Sequence, residues 1–272
     1  MDISIVIRCA EDYRVFRCIE SIDENADIIV STSANPEFEK ELMKRGIKYC
    51  LSPRKNLSKT SNIGFKHAVY DKVIITDSDT IFKSGCIQKM FVALDDYKMV
   101  KVRLSFQKSS KIPFSNIVAK SRDYVNSKEL AFTPGLAVRK DIVCDIGGFL
   151  FNEDVPFAVD ADLDYRVKKR NVPVCFLKKA VILHDAESVK HDLKAARRIG
   201  KGVAVSSLSL SEKFDTNSVK NIQKHLKAVK ITDYPDILRK KGILVLFYQI
   251  LWDVEFYIGL FEGKFCGAFC HE

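Results

Sequence analysis

The chain has 272 residues, 47% of them hydrophobic and 29% charged, enough apolar material for a buried core, which excludes wholesale disorder. Its length fits one large domain with an appendage, and 12 glycines and 7 prolines are too few for a collagen-like or low-complexity chain. The formal net charge of +9 favours an anionic partner: phosphate, nucleotide, nucleic acid or a membrane surface.

The first hundred residues alternate short apolar runs with helical patterns. Residues 3–7 (ISIVI) predict a buried strand. Residues 11–24 predict a helix with Val15, Phe16, Ile19 and Ile22 on one face. A second strand over 28–30 is followed by the loop Ser31-Thr32-Ser33-Ala34-Asn35-Pro36. A helix over 37–45 closes at Gly46, and a third strand covers 47–50. A helix over 57–69 leads to a fourth strand, 73–76, which ends at Asp77. Strands alternating with helices imply βαβ units and a parallel sheet, whose ligands sit outside the carboxyl ends of the strands. Asp77 and Asp79 fall at that position.

From 101 to 158 the pattern is less regular. Phe132-Thr133-Pro134-Gly135 predicts a turn into a strand over 136–138, and a short helix over 140–146 closes at Gly147-Gly148. A helix is expected from about Asp160 to Arg170. A strand follows over 172–176, then an apolar run, 181–183, that leads to His184. The domain division expected is 1–186 for a catalytic α/β domain and 187–272 for a basic helical tail.

That tail carries most of the charge. Residues 187–242 hold thirteen Lys/Arg against six Asp/Glu. Residues 243–261 (ILVLFYQILWDVEFYIGLF) are apolar almost all round, interrupted by Gln249, Asp253 and Glu255. Three polar side chains argue against an unassisted membrane span and for an interfacial or domain-packed helix. Arg239, Lys240, Lys241 and Trp252 suit a headgroup boundary, so an anionic membrane surface is the expected partner of the tail. The bland alternative is a hydrophobic helix that closes the core.

Eight cysteines stand at 9, 18, 50, 86, 144, 175, 266 and 270 with no CxxC pair. The opening MDISIVIRC is too short for a secretory signal and is broken by Asp2 and Arg8. Free thiols in a reducing cytosol are the simplest reading. Cys266, Cys270 and His271 lack a fourth metal partner nearby.

The chemistry concentrates at Asp77-Ser78-Asp79. Two carboxylates one residue apart at a strand end can face one divalent cation, and hard oxygen ligands favour Mg2+ or Mn2+. No helix-turn-helix, zinc finger or aromatic RNA platform appears, so no nucleic-acid partner is expected.

Five motifs in order carry a family resemblance. SIVIRCAEDYRVFRCIESI, ADIIVSTS and LSKTSNIGFKHAVYDKVIITDSDT are followed by LAVRKDIVCDIGGF, then by VDADLDYRVKKRNVPVCF and LHDAES with RRIGKG. Together, over about residues 3–202, they resemble family 2 glycosyltransferases of the GT-A fold. The resemblance implies a GT-A (Rossmann-like), mostly parallel central sheet with flanking helices, followed here by C-terminal amphipathic helices. It implies transfer of a sugar from a nucleoside-diphosphate-sugar donor to an acceptor hydroxyl, with inversion expected of a single base and direct displacement; the tail favours a cell-surface or lipid-linked glycan acceptor on the cytoplasmic face of a membrane.

Residue by residue, the resemblance makes Asp79 the metal-binding acid of DxD. Asp77 helps to hold the ribose and the metal, and His184 lies near the metal or diphosphate. Asp160 is the general base. Ser31, Lys59 and Asn62 line the nucleotide site, and Arg198 and Lys201, with Arg197, screen the leaving diphosphate. The departures are Val159 for the usual glutamate before the base, Ser31-Thr32-Ser33 for the base-reading aspartate loop, Ser61 for the helix-start arginine, and Arg8 and Cys9 on the first strand. They leave the donor base open. Two other readings are a catalytically lapsed relative that only binds a sugar nucleotide, and a haloacid-dehalogenase-like phosphatase with Asp77 as nucleophile. The second lacks Thr or Val at the fifth motif position, where Ile81 stands.

Overall fold

A computed structural model describes residues 1–214 and 219–266. Cys270 and His271, and the tail beyond 266, lie outside the described residues. The chain divides into two compact units. The first takes Met1–Leu104, Ala131–Glu153 and Arg166–His184; the second takes Ser105–Leu130, Asp154–Tyr165 and the chain from Asp185 onward.

The first unit opens with strict alternation: β1 (Ile3–Cys9), α1 (Arg14–Glu20), β2 (Asp27–Ser33), α2 (Pro36–Lys44), β3 (Lys48–Ser52), α3 (Leu57–His67) and β4 (Lys72–Asp77). Four elements follow that the apolar pattern did not announce: β5 (Thr80–Phe82), α4 (Cys86–Asp96), β6 (Met99–Gln107) and α5 (Ser115–Asn126). Then come β7 (Leu136–Arg139), α6 (Ile142–Asp145), α7 (Val159–Lys169) and β8 (Val174–Asp185). β8 is one strand of 12 residues where two separate runs are expected from the sequence, because exposed Lys178 and Lys179 interrupt the apolar pattern without interrupting the ladder.

The strands form one sheet in the order β3-β2-β1-β4-β7-β6-β8-β5. β3, β2, β1 and β4 are parallel, and every residue of β1 is buried, as the unbroken apolar run of a strand covered on both faces requires. β7 then runs antiparallel to β4, and β5 antiparallel to β8. The turn into β7 contains a cis Thr133–Pro134 bond and Gly135 at φ +77, where an added Cβ would meet Ile182 and Val102 at 2.8 and 2.9 Å. α3 lies close on β1 because it carries Gly64 there: a Cβ would fall 2.3 Å from Val6 Cγ1.

In the second unit, α5 and the start of α7 join α8 (Val189–Phe214), α9 (Val219–Leu226), α10 (Tyr234–Lys241) and α11 (Ile243–Cys266). α8 and α11 pack backbone to backbone. A Cβ on Gly200 would fall 2.0 Å from the Phe256 carbonyl oxygen, and one on Gly259 would fall 1.9 Å from that of Arg197. Two of the three polar interruptions of α11 turn inward, while Glu255 stays half-buried. Gln249 and Asp253 are buried: Gln249 accepts from Ser121 Oγ at 2.9 Å, while Asp253 accepts from Lys227 Nζ at 2.8 Å and Tyr234 Oη at 2.6 Å. Trp252, assigned to a headgroup boundary by composition, is buried as well, stacked on Phe256 and covered by the Arg122 guanidinium. Helical phase decides this, since Trp252 shares the face of Gln249 and Phe256.

Overpacking a tight contact costs about 1–3 kcal/mol. Gly259→Ala is therefore expected to lower the thermal midpoint by several degrees, because the clash is with backbone and cannot be relieved by a rotamer change. Calorimetry of the purified chain checks it; an unchanged midpoint contradicts the close α8–α11 approach.

Candidate active site

Two strand ladders assemble the acidic cluster of the first unit. In the parallel β1–β4 ladder, Arg8 is in register with Asp77, the last residue of β4. In the antiparallel β5–β8 ladder, Thr80 faces His184, so Asp79, just before β5, meets the histidine near the end of β8. Asp77, Asp79 and His184 each offer one ligand atom, and these atoms lie within 4.8 Å of one another. No other group of three His, Cys, Asp or Glu side chains gathers this closely among the described residues. Two carboxylates and one imidazole suit a hard divalent cation such as Mg2+ or Mn2+.

Cations of the chain already compensate the acids. The Arg8 side chain is 3% exposed and reaches Asp77 Oδ1 with Nε at 2.8 Å and Nη2 at 2.7 Å. His184 Nε2 stands 3.3 Å from Asp79 Oδ1, and Arg14 Nη2 stands 3.6 Å from Asp79 Oδ2. Arg14 is itself steered by Asp12, which also accepts from Ser78 Oγ at 3.0 Å. Burial pushes the Asp79 carboxyl above the usual carboxylate range; His184 and Arg14 oppose that shift, and Asp77 adds to it. Burial also pushes the nearby Cys9 and Cys18 thiols up to about 12. Both stay protonated at neutral pH, so neither is poised as a thiolate nucleophile.

The other expected site residues fall into two groups. Ser31, Lys59 and Asn62 belong to the first unit. Ser31 is buried, and its hydroxyl donates to the Thr60 carbonyl at 2.7 Å, tying β2 to α3. Asn62 donates to the Phe151 carbonyl at 2.8 Å and Glu153 Oε1 at 3.0 Å and accepts from the Phe151 N–H at 3.1 Å, which fixes the 151–153 segment on α3. Lys59 is half-buried in the first turn of α3, where Asn56 caps its backbone N–H at 2.9 Å.

Asp160, Arg198 and Lys201 belong to the second unit. Asp160 lies in the first turn of α7, as expected of a base at a helix start. That turn is held by its own neighbours. Ala158 precedes it in the left-handed region (φ +59), with its carbonyl accepting from Ala161 and Asp162. Gly202 of α8 permits close approach to the Phe157 backbone, and Ser206 of α8 donates to buried Asp162 at 3.1 Å. Arg198 lies over the Phe157 ring, and Lys201 pairs with Glu262 at 2.8 Å, as does Arg197.

Sequence reasoning missed the roles of Arg8, Arg14 and Asp12. Arg8 appears there as a charge that breaks the opening apolar run and as a departure from a family pattern, not as a partner of Asp77. The signal that finds it is a lone charge in an apolar strand, five residues along β1 from Ile3, as Asp77 is five along β4 from Lys72.

The fold is GT-A-like. It is shared with crystal structures of S. aureus TarS, one of them solved in complex with UDP-GlcNAc (TM-score 0.59, 13% identity, 98% of this chain and 92% of that one) and another of a longer chain (TM-score 0.55, 12% identity, 96% of this chain). The present chain spans 55% of that longer TarS chain. No curated protein matches the sequence significantly. The profile of glycosyl transferase family 2 matches residues 12–149, just over half of the chain and inclusive of Asp77 and Asp79, and the chain belongs to that family. Membership sets the phosphatase reading aside. His184 and Asp160 lie beyond the matched residues.

Removing one partner of a buried pair strands the other charge. Asp77→Ala is expected to destabilise the chain by about 3 kcal/mol, the low end for such pairs because the Asp77 side chain is 27% exposed. In urea denaturation, the double variant Arg8→Met/Asp77→Ala should recover part of the loss. No recovery would show that the pair is not what holds Arg8.

Proposed function

We propose that this chain transfers a sugar from a nucleoside-diphosphate donor to an acceptor hydroxyl with inversion at the anomeric carbon. The observation that carries the reading is the convergence of Asp77, Asp79 and His184 at the ends of β4 and β8, in a chain of glycosyl transferase family 2. TarS binds UDP-GlcNAc in its crystal structure, which makes uridine diphosphate sugars the first donors to test.

The three residues fit Mg2+ or Mn2+, which when bound would supply positive charge against the diphosphate as the sugar–oxygen bond breaks. The chain's own residues do the remainder. Asp77 and Asp79 are held in place by Arg8 and Arg14, so little rearrangement is needed when the donor enters. Asp160, in the first turn of α7, takes the proton from the acceptor hydroxyl at a carboxylate oxygen. Arg198 and Lys201 meet the leaving diphosphate. One base and direct displacement require no covalent sugar intermediate, so the configuration inverts.

We take the catalytic domain as 1–186 and the basic helical tail as 187–272. The tail's charge favours a glycan or lipid-linked acceptor reached at the cytoplasmic face of an anionic membrane.

The test is nucleoside diphosphate release from a panel of nucleotide sugars with Mn2+ or Mg2+. Loss of general-base help typically costs on the order of 10²–10⁴ in rate. Asp160→Asn should therefore bind donor as the parent does while releasing diphosphate that much more slowly. A parent-like rate would send the base elsewhere. A native chain that binds donor but releases none with any acceptor would be a lapsed relative.

A further inference from the structure

α11 has two apolar faces, and the fold uses only one. Ten of its large apolar side chains are exposed, among them Ile243 and Leu244 at about 65%, Phe247 at 60%, Val254 at 51%, and Phe261 and Phe265 at 64% and 56%. At 100° per residue these ten fall within an arc of roughly 140°, and at 1.5 Å per residue the stripe from Ile243 to Phe265 is about 33 Å long. No charged side chain lies inside the arc. Glu255 and Glu262 flank it, and Glu262 is neutralised by Lys201 at 2.8 Å and by Arg197. The opposite face carries Gln249, Trp252, Asp253 and Phe256, all buried, and the glycines that bring α11 against α8. A helix pinned along one whole side cannot be surrounded by lipid, so its free side is placed to lie along a surface rather than to cross one.

We infer that this stripe seats α11 lengthwise in the interface of an anionic lipid membrane, with Arg239, Lys240 and Lys241 at the end of α10 meeting the headgroups. The inference rests on the reading of the chain as a peripheral transferase. Charge chooses lipid over a second copy of the chain. The stripe adjoins a segment, 187–242, with thirteen Lys/Arg against six Asp/Glu, so two copies meeting stripe to stripe would bring like charges together. Arg239 and Lys240 share Asp236 at 2.8 and 2.9 Å, two cations to one carboxylate, and with side chains 77% and 56% exposed they can exchange it for lipid phosphates.

The experiment is flotation of the full chain with vesicles of phosphatidylcholine alone and of phosphatidylcholine with phosphatidylglycerol, alongside diphosphate release from a soluble donor. The native chain should float with the anionic vesicles, less as salt rises, and stay behind with the neutral ones. Phe247→Glu/Phe261→Glu alters only exposed positions and should lose flotation while keeping its circular dichroism and its rate on soluble donor. Arg239→Ala/Lys240→Ala/Lys241→Ala should weaken vesicle binding at least about tenfold, since each cation near such a surface contributes on the order of 1 kcal/mol. Flotation of the stripe variant like the native chain, or equal native flotation with neutral vesicles, overturns the inference. So does a native dimer without flotation that the stripe variant converts to monomer, because a second copy then covers the stripe. Loss of diphosphate release with flotation intact would count against the transferase reading and not against this one.

Discussion

A guanidinium that is 3% exposed must find acceptors, and the parallel ladder between β1 and β4 supplies a carboxylate: Arg8 and Asp77 are register partners. One half of the candidate site follows from that pairing, and the β5–β8 ladder brings up the other. The pairing places Asp77 at the end of a largely buried strand without leaving its charge uncompensated in a low-dielectric setting. It fixes the turn through Ser78, whose N–H donates to the Arg8 carbonyl at 3.1 Å, and so aims Asp79 towards His184. Arg14 repeats the arrangement more loosely on Asp79, with 42% of its side chain exposed. The cluster thus holds two carboxylates and two guanidiniums before any ligand arrives.

The alternation from β1 to β4 was legible because buried parallel strands read as unbroken apolar runs and helices as 3.6-residue patterns. The strand-end acids were legible for the same reason: once β4 is placed, Asp77 and Asp79 follow. The later half resisted. β5 has only three residues, too few for a pattern. β6 reads Met-Val-Lys-Val-Arg-Leu-Ser-Phe-Gln, and its Lys101 disguises a buried position by donating to the Pro134 carbonyl at 2.8 Å. Arg8 stood in plain view, yet its role depends on register, which is a pairing of two distant segments and leaves no local mark.

The tail teaches the complementary lesson. Composition alone counts Gln249, Asp253 and Trp252 in one apolar run and cannot say which way they face. In the structure all three lie on the buried side, where Gln249 and Asp253 find partners, and this clears the opposite side of polar groups. Gln249 and Asp253, two of the three residues that argue against a spanning helix, are therefore what leave a continuous apolar stripe available. Gly200 and Gly259 complete the arrangement, since only residues without a Cβ let α8 and α11 approach so closely.

The central claim is that Asp77, Asp79 and His184 form one cation-binding centre at the donor site. Electron spin-echo measurements of Mn2+ in chain labelled with 15N-histidine, in the presence of UDP, test it most directly. The account predicts a directly coordinated 15N that vanishes in His184→Gln, together with 31P coupling to the nucleotide. Bound Mn2+ that shows 31P coupling but no histidine nitrogen, or a 15N signal that survives His184→Gln, would contradict it.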